Sequence, residues 1–211
     1  MPRPALSELD VERQRQRALD AALALFDRDG VPGVSLRAIA GEVGLTAMAL
    51  YRYFPGGKNE VLATLRGRGF DDLAGRFEQA GPAAVDPIER FVALARVLVA
   101  FALDNAALYR LMFDLTQPEE QDAYLATSRA RAWKIPAEVL HAAIDQGLLQ
   151  AKRDLFPHLV FAAVHGVLCF ELSGQPHPER RVSRLIGPML VTLFRGASAS
   201  AAVVRKLERA F

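Results

Sequence analysis

The segment Leu45–Lys58, LTAMALYRYFPGGK, brings together the side chains best suited to contacting another molecule. Leu50 and Phe54 are four residues apart, so on a helix they share one face and can pack inward. Met48, Tyr51 and Arg52 would then point largely toward solvent. The segment therefore predicts a helix with one face packed and the other left for binding, followed by a turn and Lys58.

The charge of the chain gives only local support for a nucleic-acid partner. The net charge is +2, with 26 basic and 24 acidic residues, so global charge neither favours nor excludes such a partner. Between Gly30 and Phe70, however, five basic residues face two acidic ones. This modest excess has the sign that nucleic-acid binding requires.

Catalysis is the main alternative from another class of function. Four histidines are available: His141, His158, His165 and His177. His158 and His165 are seven apart, which is not the i, i+3 or i+4 spacing of helical metal pairs. No nucleophile, base and acid form a recognisable set, and Cys169, in an apolar run, is expected to be a buried inert thiol. We expect no enzymatic activity, cofactor or metal site.

Three short helices are predicted in the N-terminal part of the chain. Ala18, Leu19, Ala22, Leu23 and Phe26 recur at helical spacing, and Gly30 with Pro32-Gly33 ends that first helix. Ser35 caps a second helix that stops at Gly44, and Thr46 caps a third that runs to about Phe54. Two short helices joined by a glycine-containing turn form a helix-turn-helix, whose second helix enters the DNA major groove.

The remainder of the chain also has a helical period, so the fold class is all-α. A longer helix starts near Lys58 and runs toward Gly81-Pro82. Further helices are predicted at about 87–103, 105–115, 119–146, 155–173, 178–195 and 200–210, and Pro136 should kink or split the helix at 119–146. No apolar run reaches the roughly 18 residues of a membrane span, so we expect a cytoplasmic protein without a membrane partner.

Residues 13–62 resemble the DNA-binding signature of TetR-type (tetracycline-repressor-like) transcriptional regulators. The residues that carry the resemblance are Ala21-Ala22, Phe26, Gly30, Ser35, Ile39-Ala40, Gly44-Leu45-Thr46, Leu50-Tyr51, Tyr53-Phe54 and Lys58. One departure is that three residues, Pro55, Gly56 and Gly57, separate Phe54 from Lys58 where the family usually has two. The extra glycine puts the phosphate contact of Lys58 in question.

The resemblance implies a DNA-contact role for nine positions. Contacts to backbone phosphate, to the groove floor or to both are implied for Ser35, Arg37, Thr46, Ala47, Met48, Tyr51, Arg52, Tyr53 and Lys58. Two alternatives stay open, namely Tyr51 as a half-buried aromatic and Arg37 as a solvated charge. Ala47 and Met48 cannot form the paired hydrogen bonds that read guanine or adenine, so direct readout is expected to be modest and to come from Thr46 and Arg52.

The C-terminal part resembles a subtype of these regulators with a WHG-like C-terminal domain, in the segments 105–113 and 162–174. The helices at 155–173 and 178–195 are apolar nearly all round, which predicts burial against a partner subunit. By resemblance they form a four-helix dimer interface, with candidate residues Val164, Leu168, Leu172, Leu185, Met189 and Leu193. Candidate effector-lining residues, for which core packing is the alternative, are Phe101, Tyr109, Met112, Phe113, Trp133, Leu140, Phe161 and His165.

The sequence is interpreted as that of a DNA-binding transcriptional regulator. Residues 11–57 form the predicted DNA-binding domain, and 58–211 form a domain for ligand binding and dimerisation. The expected protein is a homodimeric repressor, released from a palindromic operator by a small, largely apolar effector. The alternatives are a ligand-responsive activator and a helical protein-interaction module without DNA binding.

Overall fold

The structure, a computed structural model, describes residues 7–80, 86–114, 122–173 and 181–211. All regular structure in these ranges is helical, in agreement with the predicted all-α class. The helices are α1 (Glu8–Gly33), α2 (Leu36–Val43), α3 (Ala47–Tyr51), α4 (Gly57–Gln79), α5 (Pro87–Asp104), α6 (Ala106–Met112), α7 (Ala123–Asp145), α8 (Phe156–Leu172), α9 (Val182–Gly196) and α10 (Ala201–Ala210).

The chain divides into two compact units. Unit 1 contains the described residues up to Phe70 and those within Ala107–Ser128, and unit 2 contains those within Asp71–Ala106 and Arg129–Phe211. The structural division therefore differs from the predicted boundary after residue 57, because α4 and α7 each supply residues to both units. The part of α4 up to Phe70 and all but the first residue of α6 belong with the N-terminal helices.

The core of unit 1 is built from the inward faces of α1, α2 and α3. Leu19, Phe26, Ile39 and Leu50 are buried together in one cluster, which Leu62 of α4 also joins. Gly30 interrupts α1 with a left-handed φ of 66° and a ψ of −168°, in agreement with the predicted end of the first helix. This break turns the chain into α2 within a few residues.

Unit 2 is organised by packing of α8 on α9, α9 on α10, and α5 on α8 and α10. Phe194 of α9 is fully buried, with ring centroids 5.1 Å from Phe91 and 5.6 Å from Phe156. Asp86 caps α5 by accepting hydrogen bonds from the backbone N–H groups of Ile88 and Glu89. Burial of large aromatic rings is a major source of folding free energy in such a bundle.

The structure bears on two predictions about individual residues. Pro136 lies inside α7, which continues past it to Asp145, so the helix is not split there, and a kink at Pro136 stays a prediction. Cys169 is exposed on α8 rather than buried, because it points away from the side of that helix on which Val164 and Leu168 are buried. The predicted starts of the helices at 119–146 and 178–195 lie outside the described residues.

Candidate nucleic-acid interface

The turn between α2 and α3 is defined by caps at both of its ends. The Ser35 hydroxyl accepts a hydrogen bond from the N–H of Ala38 at 3.1 Å, which starts α2. Gly44 ends α2 in the left-handed conformation, with φ at 69°, where a side chain would be strained. Thr46 then accepts from the N–H of Ala49 at 3.2 Å and starts α3 almost at once.

The two faces of α3 differ sharply in exposure, as the spacing of its residues predicts. Leu50 is fully buried in the core of unit 1. Met48 is 76% exposed and Tyr51 is 51% exposed, and Arg52 beyond the helix is also exposed. A five-residue helix that buries one leucine and exposes a methionine and a tyrosine is held to its own unit by one side only.

Most of the predicted DNA-contact residues lie on the surface. The exposed ones are Ser35, Arg37, Thr46, Met48, Tyr51 and Arg52, whereas Ala47 and Lys58 are partly buried. Within the part of the chain that the structure describes, the guanidinium groups of Arg37 and Arg52 have neither a hydrogen bond nor an ion pair. By contrast, the nearby Arg28 is paired with Asp29 at 2.8 Å. Two unneutralised cations, one in α2 and one directly after α3, are therefore exposed on the helix-turn-helix.

Tyr53 is the one predicted DNA-contact residue that the structure buries. Its side chain is only 8% exposed and belongs to the core cluster of unit 1, together with Phe54. The ring of Tyr53 therefore packs in the core, unlike that of Tyr51, and the phosphate contact of its hydroxyl stays a prediction. The difference between the two tyrosines follows from the turn that the chain makes after Tyr51.

The extra glycine before Lys58 has a conformational reason. Gly57 has a positive φ of 67°, and its N–H donates to the carbonyl of Phe54 at 2.9 Å, which closes the turn into α4. Lys58 then donates from Nζ to the carbonyl of Val31 at 2.6 Å, near the end of α1. An ammonium group has three N–H donors, so this bond leaves two for another acceptor. The phosphate contact of Lys58 stays a prediction.

Arg17 is a structural residue that the sequence reasoning did not identify. Its Nη2 donates to the carbonyl of Val43 at 3.2 Å, at the C-terminal end of α2. The last carbonyls of a helix lack partners within the helix and carry partial negative charge, so a cation stabilises them. Arginine recurs at positions 13, 15 and 17, and this pattern does not indicate which of the three makes the contact.

The predicted effector-lining residues are divided between the two units. Tyr109, Met112 and Phe113 belong to unit 1, where the rings of Tyr109 and Phe113 lie 4.9 Å apart. The other five belong to unit 2 and are Phe101, Trp133, Leu140, Phe161 and His165. The buried members, in agreement with the core-packing alternative, are Phe101, Tyr109, Met112 and Leu140. A ligand site for any of the eight stays a prediction.

Trp133, Phe161 and His165 form an aromatic cluster on α7 and α8 with His158. His158 stacks on Trp133 at 4.5 Å, Trp133 meets the Phe161 ring edge-on at 5.5 Å, and Phe161 stacks on His165 at 5.5 Å. Burial lowers the pKa of His165 below its ordinary value, since a charged imidazole loses hydration there. The spacing of His158, Phe161 and His165 on one face of α8 was a signal for this cluster.

The predicted dimer residues are also corrected in part. Val164 and Leu168 are 3% and 0% exposed within the single chain, so they belong to its own core and not to a surface for a second copy. The other four candidates, partly exposed, are Leu172, Leu185, Met189 and Leu193. The outward side of α8 consists of other residues, among them Leu159, Ala162 and Phe170.

Among the residues that the structure describes, no three or more His, Cys, Asp or Glu side chains cluster as a metal site would require. No single described helix is long and apolar enough to cross a membrane, and α5 and α6 satisfy the length and composition only as a pair broken at Asn105.

Known proteins resemble the chain in both of its halves. A sequence model described as "Bacterial regulatory proteins, tetR family" matches residues 18–65, which include α2 and α3. A second, described as "Tetracyclin repressor-like, C-terminal domain", matches residues 91–193. The WHG-like subtype within this family stays a prediction.

Two curated relatives are transcriptional repressors. The HTH-type transcriptional repressor KstR of Mycolicibacterium smegmatis is 37% identical over 87 residues, covering 40% of this chain and 42% of KstR. KstR of Mycobacterium tuberculosis is 35% identical over 89 residues, covering 41% of this chain and 40% of that protein. The matched region therefore spans about two-fifths of these relatives' own length.

A solved structure shares the fold over most of the chain. The TetR family transcriptional regulator PfmR from Thermus thermophilus superposes with a TM-score of 0.67 and 21% identity, covering 85% of this chain and 97% of PfmR. At this identity the similarity establishes the fold alone. Since the two sequence models belong to one family of regulators rather than enzymes and together cover more than half of the chain, the chain belongs to the TetR family of DNA-binding transcriptional regulators.

Proposed function

We propose that the protein is a homodimeric transcriptional repressor that binds duplex DNA through α3 and is released from it by a small, largely apolar effector. The observation that carries DNA binding is the exposed surface of the helix-turn-helix, where Met48 and Tyr51 of α3 are uncovered. Arg37 of α2 and Arg52 after α3 are also exposed and have no ionic partner among the described residues. Repression, rather than activation, is favoured because both KstR relatives are named repressors.

The chemistry of this face favours contact with phosphate over hydrogen-bonded readout of bases. The Tyr51 hydroxyl and the guanidinium groups of Arg37 and Arg52 are donors that suit phosphate oxygens. Met48 and Ala47 can contact thymine methyl groups but cannot hydrogen-bond to base edges. Much of the sequence preference would then come from the shape of the DNA and from the spacing of two half-sites.

Dimerisation is supported by the outward side of α8. Leu159, which is 46% exposed, lies on the same side of α8 as Ala162 and Phe170. This side is exposed in the single chain although α8 is one of its most apolar helices. An apolar stripe of this kind is costly to leave in water, and a second copy would cover it. Two copies related by a two-fold axis would present two α3 helices to a palindromic operator.

An effector site is supported by the aromatic cluster of Trp133, His158, Phe161 and His165 in unit 2. The cluster contains no carboxylate or permanent cation, and burial lowers the pKa of His165, so a neutral molecule with apolar surface suits it. Because α4 supplies residues to both units, a ligand that favours a different position of α4 would change the separation of the two α3 helices and weaken operator binding.

DNA binding can be tested by selection of duplexes from a random library with the purified protein. We expect enrichment of a two-fold symmetric sequence, and binding that weakens steeply with salt. A protein that enriches no duplex, while it is folded by circular dichroism, would contradict the proposed function.

Dimerisation can be tested by light scattering coupled to size exclusion. Leu159→Asp is expected to convert the dimer to a monomer, because a carboxylate would be buried at the interface. Leu9→Asp is the matched control, since Leu9 is even more exposed and lies at the start of α1. Dimers in both variants would exclude α8 as the interface.

The effector can be sought by a thermal-shift screen of small neutral aromatic and aliphatic compounds. A ligand raises the unfolding temperature when it binds only the folded chain. Trp133→Ala should abolish the shift produced by a compound that binds the cluster, whereas a shift that persists in this variant would place the ligand elsewhere.

A further inference from the structure

We infer that Arg15 of α1 is a positioning residue for DNA recognition, which it serves by fixing the C-terminal end of α3 and the turn into α4. This inference rests on the proposed function, since it concerns how the same face of α3 is presented to DNA. The Arg15 network consists of Arg15, Tyr53, Phe54, Glu60 and the backbone of Gly56.

Arg15 makes three different contacts around the end of α3. Its Nη1 donates a hydrogen bond to the carbonyl of Tyr53. Its guanidinium lies 4.5 Å from the centroid of the Phe54 ring, a cation–π contact. It also forms an ion pair with Glu60 of α4 at 3.8 Å, and about a quarter of each side chain is exposed, 26% and 27%. One side chain of α1 thus joins α3 and α4.

Glu60 extends the network to the turn itself. Its Oε2 accepts a hydrogen bond from the N–H of Gly56 at 2.8 Å, which satisfies a backbone donor ahead of α4. The carboxylate therefore faces both Arg15 and the turn of Phe54 to Gly57. Arg15 binds the carbonyl of Tyr53 before Pro55, and its partner Glu60 binds the N–H of Gly56 after Pro55, so the network holds the backbone on both sides of the proline.

The shortness of α3 makes such contacts decisive. The helix has five residues, little more than one turn, so its own hydrogen bonds cannot define its direction. Thr46 holds its first turn and Leu50 holds its inner side, and the buried side chains of Tyr53 and Phe54 hold the residues that follow. Arg15 adds a restraint on the backbone itself at the carbonyl of Tyr53. The Tyr53 carbonyl that Arg15 binds is two residues after Tyr51 and one after Arg52. Its position therefore governs where those two side chains point.

Arginine is suited to this role in a way that lysine is not. A planar guanidinium can lie over a ring while its N–H groups donate to a carbonyl and a carboxylate in different directions. A lysine can donate at one point and keep the charge, but it loses the planar contact. Arg13 offers a control in the same helix, because it is far more exposed and its ion pair is with Asp10, one turn away at 3.4 Å.

The test compares Arg15→Met, Arg15→Lys, Glu60→Gln and the control Arg13→Met. The probe is a fluorescein-labelled duplex of about 30 base pairs, long enough for two half-sites about one helical turn apart, that the wild-type protein has enriched from a random library. We expect Arg15→Met to weaken binding about tenfold, the loss of roughly one well-placed charged contact. Arg15→Lys should lie between Arg15→Met and the wild type, and Arg13→Met within about twofold of the wild type.

The dependence on salt separates positioning from direct contact. The comparison is made in an Arg52→Gln background, in which the phosphate contact that Arg15 positions is already missing. There Arg15→Met should leave the slope of log affinity against log salt unchanged, and a further fall of about 0.9 for each Arg15 removed would assign Arg15 itself to a phosphate and overturn the inference. Binding of Arg15→Met within about twofold of the wild type would also overturn it.

A double-mutant comparison separates positioning from general loss of stability. In a Tyr51→Phe and Arg52→Gln background, the contacts that Arg15 positions are already missing, so Arg15→Met should cost little more. An equally large, additive loss in that background would overturn the inference. If Arg15→Met proves unfolded by circular dichroism, Arg15→Lys and Glu60→Gln decide the question, and binding by both at the wild-type level overturns it.

Amide hydrogen exchange of the free protein tests the network without DNA. Arg15→Lys and Glu60→Gln should speed exchange in residues 52–57 while exchange in the middle of α1 is unchanged. Unchanged exchange in residues 52–57 would overturn the network as a restraint. A wild-type protein that enriches no duplex would refute the proposed function, and with it the recognition role, whereas the exchange result would still report on the restraint itself.

Discussion

Replacing Leu50 by alanine is the most direct test of how α3 is held. Leu50 is completely buried among the core residues of unit 1, so its truncation removes apolar contacts on every side and leaves a cavity. Leucine-to-alanine changes at such sites cost about 2–5 kcal/mol, and we expect about 3 kcal/mol here. The core cluster around Leu50 draws on several helices, which limits collapse of the cavity.

Met48→Ala is the matched control, because Met48 lies on the same five-residue helix and is mostly in water. We expect its effect on the free energy of unfolding to stay within about 0.5 kcal/mol. Urea unfolding followed by circular dichroism measures both variants, with the slopes compared to check that the transition is the same.

The two variants also differ in what they should do to DNA recognition. Met48→Ala should change the sequence preference in a duplex selection while affinity for unselected DNA stays near that of the wild type. Leu50→Ala should weaken binding to selected and unselected duplexes alike. If Met48→Ala destabilised the protein as much as Leu50→Ala, the assignment of inner and outer faces to α3 would be wrong.

Three further predictions concern charge, backbone and pH. Arg52→Gln should lower the salt slope of DNA binding by about 0.9 per subunit, whereas Arg28→Gln, whose side chain is already paired with Asp29, should leave the slope unchanged in the same titration. Gly57→Ala should destabilise the protein by about 1–2 kcal/mol in urea unfolding, because alanine is strained at a φ of 67°. Gly41→Ala in α2 should instead stabilise it by about 0.4–1 kcal/mol, because the added methyl meets nothing within 4 Å. Burial lowers the pKa of His165, so the imidazole binds a proton more tightly in the unfolded chain than in the folded one, and the free energy of unfolding falls as the pH drops below the ordinary pKa of 6.5. His165→Gln should therefore lose less stability between neutral and acidic pH than the wild type. Equal losses in the two proteins would contradict the burial of the imidazole.

Local features of the sequence predicted the helix-turn-helix well because its determinants are local. Ser35 and Thr46 cap helices through hydrogen bonds that span three residues, and Gly44 is needed at a left-handed position directly after α2. The four-residue spacing of Leu50 and Phe54 was enough to assign the buried face. Such signals depend on neighbours in the chain and need no knowledge of the rest of the fold.

The features that the sequence misjudged depend on contacts between distant segments. Tyr53 follows Tyr51 by two positions, and only the packing of the turn after α3 determines that one ring is buried and the other exposed. Val164 and Leu168 are as apolar as an interface requires, but other parts of the same chain already cover them. Hydropathy alone cannot tell which partner buries a side chain.

The sequence by itself therefore determined the helices of unit 1, their caps and the outward face of α3, because helical periodicity and capping act over a few residues. Only the tertiary structure decided how those helix ends are restrained. Lys58 of α4 binds the carbonyl of Val31, and Arg15 of α1 binds that of Tyr53, across separations of 27 and 38 residues. A cation can satisfy any orphan carbonyl within its reach, and which carbonyl that is depends on how the helices pack.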